Sequence, residues 1–268
     1  MRILKNLFLT FLILSCKSYI SEINGIKINK KEFEIEKKIQ KVYNLNYKDE
    51  EILLLLIQKK LKIFLLEKDM NFKIEEKFLK MEKQRIDRET KAPWLLEKIK
   101  KIFNDERDYL EYFVKGILAS RIIENIFYYD TIKYQKEKYY LAKNYLRKIK
   151  NDKKGDFSKD SLYFYVDLTQ KEEVPPPPPS FFHLGDSIYL KNMEKFEVYP
   201  EIIEAKHRYF IVRKIGKKKF DGFIINKKDF TKWFNERIEK ISIKIKDKEL
   251  KNNLLKRIKG TFWENIIK

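Results

Sequence analysis

A chain of 268 residues is long enough for one large domain or two small ones. Its 60 Lys and Arg against 40 Asp and Glu give a net charge of +20, spread as Lys-Glu mixtures that read as solvated helix faces and argue against a nucleic-acid partner. One cysteine excludes an intramolecular disulfide. Two histidines, His183 and His207, with no HExxH or Cys/His cluster, no Gly-rich phosphate loop and no Gly-x-Ser-x-Gly elbow, leave metal, nucleotide and serine-nucleophile chemistry without support, and no cofactor is expected.

The chain opens as a secretory signal. Arg2 and Lys5 form a positive start, Leu7 to Leu14 an apolar core, and Ser15 a small residue directly before Cys16. The tripeptide Ile13-Leu14-Ser15 before Cys16 resembles a bacterial lipoprotein box. That resemblance implies cleavage after residue 15, a diacylglyceryl group on the Cys16 thiol, and a mature protein that is exported, periplasmic or in the cell envelope, and lipid-anchored to a membrane. The apolar stretch is too short for a membrane-spanning helix, which needs about 20 residues.

Next comes Ile23-Asn24-Gly25-Ile26-Lys27-Ile28, an alternating segment with an Asn-Gly turn. Lys30 to Tyr43 reads as a helix, with Ile35, Ile39 and Val42 on one stripe. Asp49 is the expected N-cap of a helix over about Glu50 to Lys68, whose apolar residues surround it so fully that its neighbours must bury it. Further helices are expected over Ile74 to Arg88, ending ahead of Pro93, and over Trp94 to Phe103. A long one, capped by Asp105 or Asp108, runs to about Tyr128 with Leu110, Phe113, Val114 and Ile117 facing inward.

Around Gly155 the texture changes. Leu162 to Val166 is aromatic and β-branched enough for a strand. Five prolines, Pro175 to Pro179, read as a stiff extended connector. Ile202 to Ala205 and Tyr209 to Arg213 read as a hairpin closed around Lys206-His207-Arg208. Helices over Lys228 to Ile241 and Lys248 to Ile267 then end the chain, with Trp233, Phe234, Leu254, Ile258 and Trp263 as buried candidates.

With these elements in order, the chain resembles the SurA/PrsA type of exported chaperones and parvulin-type prolyl isomerases. The similarity is carried by Ile23-Asn24-Gly25-Ile26-Lys27-Ile28-Asn29-Lys30-Lys31-Glu32-Phe33, a short strand leading into a helix. It is carried also by the Leu-rich second helix with a charged third, and by Asp108 to Phe127, which resembles the helix closing the family's chaperone lobe. The resemblance implies an α+β protein: a mainly helical SurA-N-like lobe over residues 16–132, a small parvulin-like α/β domain over 133–217, and C-terminal helices over 218–268 that pack on the N-terminal lobe.

The isomerase part departs from the family pattern. Family members carry an Ala-Ser-His-Ile-Leu strand whose histidine lies in the active site. Here Tyr128-Tyr129-Asp130 runs through Tyr134 and Tyr140 straight into Leu141 to Leu146, which resembles the helix after that strand. Gly155-Asp156-Phe157-Ser158 matches the segment following that helix. The family's later Phe-Gly-Tyr-His-Ile-Ile-Lys is similar to His207-Arg208-Tyr209-Phe210-Ile211-Val212-Arg213, with Phe210 in the histidine's place. A degenerate pocket would be lined by Tyr163, Tyr165, Tyr209 and Phe210. His207 falls at a turn and His183 between Phe182 and Leu184, neither placed as a catalyst. The expectation is a lipid-anchored, chaperone-like binder of unfolded or nascent exported polypeptides, without catalytic residues and without isomerase activity. The alternatives are a membrane-tethered basic scaffold lipoprotein and an active isomerase with a rearranged pocket.

Overall fold

The computed structural model describes residues 19–167 and 192–267. Cys16 and the signal-like segment, the five prolines and His183 lie outside the described residues. The chain is mixed α+β and divides into two compact units, residues 1–123 with 231–268, and residues 124–230. The lobe boundary expected at 132 thus moves into the long helix, and the end of the α/β domain expected at 217 moves to 230.

Unit 1 starts with a hairpin, β1 (Tyr19–Ile23) and β2 (Ile26–Asn29). Its two-residue turn holds Asn24 and Gly25 at φ 45° and 88°, the left-handed conformations that asparagine and glycine tolerate, and pairs Ile23 with Ile26. The Asn29 side chain caps α1 (Lys30–Val42) by accepting from Glu32 N–H at 2.8 Å. α2 (Asp49–Lys68) begins one residue earlier than expected: Lys48 holds the cap position, its N–H donating to the Glu51 carboxylate at 2.8 Å. Asp49 instead sits in the first turn, 2.8 Å from the Lys37 ammonium.

Two of the lysines that interrupt the apolar surface of α2 have partners on α1. Lys59 reaches the buried Glu36 at 2.6 Å, and Lys60 the buried Glu32 at 2.9 Å. Burial pushes the Glu32 carboxyl up, and Lys60 opposes the shift.

After α3 (Glu76–Glu89) and α4 (Pro93–Lys100), Asp105 caps α5 (Glu106–Tyr109) through the Asp108 N–H, while Asp108 pairs with Lys31 at 2.7 Å. A π-helical turn over Leu110–Val114 leads into α6 (Lys115–Tyr129). Leu110, Phe113 and Val114 join Ile35, Ile39, Leu79, Leu96 and Ile99 in one core.

Unit 2 contains α7 (Lys136–Asn151) and an antiparallel sheet of β3 (Tyr163–Asp167), β4 (Ile203–Glu204), β5 (Arg208–Gly216) and β6 (Lys219–Asn226), in the order β3-β6-β5-β4. Residues 131–134 form a turn, and no strand lies between α6 and α7. The position between β3 and β5 is held by β6, which the sequence reading had assigned to the C-terminal helical segment. Gly222 explains the omission. It interrupts an otherwise β-like run, yet its φ of 151° and the 1.8 Å between a Cβ placed there and the Ile211 carbonyl oxygen make glycine the residue this close crossing requires.

The terminal segment belongs to unit 1. α8 (Phe230–Ile238) is shorter than expected, because β7 (Ile243–Ile245) follows and pairs with β1 to complete the sheet β2-β1-β7. α9 (Lys248–Ile258) stops ahead of Gly260, at φ 75°, so the expected continuous helix to Ile267 becomes a helix and a short 3₁₀ turn over Phe262–Asn265. Phe234, Leu254 and Ile258 are buried, whereas Trp233 and Trp263 are half-buried.

Candidate functional site

The four residues expected to line a degenerate isomerase pocket do not form one. Strand alternation puts Tyr163, Tyr165 and Tyr209 on the sheet face covered by α7, and Phe210 on the other. Tyr209 packs with Ala142, Ile149, Phe157, Ile211, Phe223 and Ile225. Phe210 packs with Met193, Ile203, Val212 and Phe220. Both are essentially inaccessible, so the side chains that would have lined a cavity are core.

Of the other two, Tyr163 donates its hydroxyl to Asp221 at 3.2 Å, and burial followed by the Asp221 charge pushes its phenol up to about 12. Tyr165 is half exposed, its hydroxyl 3.3 Å from the Asp167 carboxylate at the sheet margin.

Around Tyr209 stand groups that composition did not reveal. The wholly buried Lys227 ammonium donates to Tyr128 O at 2.8 Å and to Glu204 at 2.6 Å, and lies 4.7 Å and 4.8 Å from the ring centres of Tyr209 and Tyr129. Burial lowers its pKa, and the Glu204 contact opposes that. His207 lies exposed in the β4–β5 turn, edge-on to the Tyr128 ring at 4.5 Å; partial burial and then the Lys206 charge hold its pKa below the usual value. A cation enclosed by its own chain's carbonyl, carboxylate and rings is a satisfied structural group, with no face turned to a substrate.

An open site lies in unit 1 instead, between α3 and α6. Phe72, Phe78, Leu118 and Ile122 floor a groove of about 400 Å³, Met81 stands at its edge 64% exposed, and Arg85, Arg88 and Arg121 rim it. Its organising group is Glu82. The fully buried carboxylate accepts from Arg85 Nε and Nη2 at 3.0 and 2.6 Å, and from Arg121 Nε and Nη2 at 3.3 and 2.5 Å. Burial pushes this carboxyl up, but the guanidinium hydrogen bonds outweigh burial and hold it below the usual range.

The sequence reading did not single out these residues. The signal is a carboxylate within an apolar stripe: Leu79, Glu82 and Ile86 share one face of α3, and such a charge must find partners.

A second cleft, about 470 Å³, is floored by Tyr19, Phe33 and Leu250 and edged by Glu34, Asp49, Glu50, Asp247 and Glu249. Two of those carboxylates have local duties, Asp49 toward Lys37 and Asp247 as the cap of α9. No acidic metal cluster occurs among the described residues.

No family model, curated protein or solved structure matches the chain.

Proposed function

We propose that the chain is a chaperone-like polypeptide-binding protein of the SurA/PrsA type, exported and anchored to a membrane through Cys16, with a parvulin-like unit that does not isomerise proline. The observation that carries the reading is the contrast between an open apolar groove in the helical unit and a filled sheet face in the other. Extended, unfolded segments offer apolar side chains that such a groove can take up with low specificity. Prolyl isomerisation instead needs a cavity that holds a twisted amide against a barrier of about 18–20 kcal/mol. Tyr209 and Phe210 leave no such cavity at their own position.

Aggregation of an unfolded client is the decisive assay. Suppression at a few-fold excess of the full chain is the expected result, and its absence at several-fold excess removes the proposal. In a tetrapeptide isomerisation assay the rate should equal the uncatalysed rate; turnover that disappears on changing Tyr209 would restore the catalytic alternative. For the anchor, Cys16→Ser should move the protein from the membrane pellet to the soluble fraction, and a variant that still pellets overturns the lipid attachment.

A further inference from the structure

The α3–α6 groove carries more information than its apolar floor. Glu82 fixes the inner edges of two guanidiniums, and their outer edges face solvent: the Arg121 side chain is 42% exposed, and its Nη1 makes no hydrogen bond among the described residues. Arg85 spends its Nη1 on Glu89 at 2.6 Å. One helical turn along, Arg88 is 77% exposed and makes a single 3.3 Å contact with Glu89. Three guanidiniums thus meet two carboxylates, both already turned onto them. The outer edge of Arg121 is held in place by its two bonds to Glu82 before any ligand arrives, so little of its side-chain freedom is lost when one binds.

We propose that this groove docks an extended polypeptide segment in which an apolar side chain neighbours Asp or Glu. The apolar side chain lies on Phe72, Phe78, Leu118 and Ile122, and the neighbouring carboxylate meets the outer edge of Arg121, with Arg88 as a second contact. The inference rests on the polypeptide-binding reading above and adds to it a discrimination by charge. Guanidiniums suit this role because their planar forks pair with carboxylates through two parallel hydrogen bonds. Arg88 and Arg121 offer two separate basic positions, which suits an internal segment with acidic residues better than a chain terminus with one carboxylate.

The test uses the full chain and labelled peptides, acetylated and amidated, that carry one apolar cluster flanked either by Glu or by Gln, followed by fluorescence anisotropy. The Glu peptide should bind about tenfold more tightly than the Gln peptide, an advantage that falls with ionic strength. Arg88→Glu should cut the advantage severalfold, by setting a like charge beside the incoming carboxylate, and affect the Gln peptide less, whereas Met81→Asp should weaken both peptides. Both side chains are exposed, so thermal melts should match wild type, and Arg88→Gln serves if Arg88→Glu alters the fold.

Equal affinity for the two peptides, or variants that move neither, overturns the groove assignment; if aggregation suppression persists, the broader reading stands without it. Absence of both peptide binding and suppression removes the broader reading as well. A Gln peptide that regains affinity with a free C-terminal carboxylate reassigns the groove to chain ends. Loss of binding to phosphatidylglycerol vesicles in Arg88→Glu, with peptides unaffected, reassigns it to anionic lipid.

Discussion

The two units solve the same problem, a buried carboxylate, in opposite ways. In unit 2, Asp221 on β6 meets Arg213 on β5 through Nε at 2.9 Å and Nη2 at 2.6 Å, and both side chains are almost entirely buried. The Arg213 Nη1 goes to the carbonyls of Lys153 and Gly155, Tyr163 donates to the carboxylate, and the Phe157 ring lies 5.1 Å away. Every strong donor is spent inside. In unit 1, Glu82 is equally buried but its guanidiniums are not. Identical chemistry therefore serves as a rivet where both partners are enclosed, and as a presented binding edge where only the carboxylate is. Exposure of the cation, more than the presence of the pair, separates a structural clamp from a candidate site.

The largest expected effect tests the enclosed side. Gly222→Ala places a Cβ against the Ile211 carbonyl within the central strand pair, where backbone has to move, and should cost about 4 kcal/mol or more. Hydrogen exchange of β5 and β6 should approach that of unfolded chain while α1 and α2 remain protected. Uniform loss of protection throughout the molecule would show that the two units are not separately stable.

Next in size is Asp221→Asn. It leaves the buried Arg213 with carbonyl partners but no counter-charge, and should cost about 3–5 kcal/mol, read from thermal or denaturant melts. A cost below about 1 kcal/mol would mean that water reaches the pair, erasing the distinction from Glu82.

Glu82→Gln should cost less, about 1–2 kcal/mol, because Arg85 and Arg121 are exposed enough to recover hydration. The same carboxylate gives a pH signature. Its folded pKa lies below the unfolded value of 4.5, so between the two the unfolded chain binds more protons and stability rises with pH. The contribution is present above 4.5 and lost as pH falls through the folded value. Subtracting the Glu82→Gln acid melt from that of wild type should isolate that loss, and superimposable acid limbs would refute it.

How much of this was legible in the sequence depended on whether the signal was local. Asn24-Gly25 specifies a two-residue hairpin by backbone geometry alone, and the stripes of α1 and α6 follow from helical period. β6 and β7 were not legible. Gly222 reads as a break until the strand crossing over it is known, and Ile243 to Ile245 is too short to signal a strand before β1 is there to pair with it. The expected pocket failed for a related reason. Tyr209 and Phe210 are adjacent on a strand, so they point to opposite faces and cannot line one cavity. Glu82 lay in plain view on an apolar stripe, but its second arginine is 39 residues away, and only the packing of α3 on α6 brings them together.

The smallest stability effect is the sharpest test of the comparison. Met81 sits at the groove edge with nearly two thirds of its surface exposed, so Met81→Asp removes little buried area and should change stability by no more than about 0.5 kcal/mol. If the groove is a presented surface, that substitution must be silent in a melt and audible in peptide binding. A loss of several kcal/mol would mean that Met81 is core, that the groove is closed in solution, and that the Glu82 clamp is a rivet like its counterpart in unit 2.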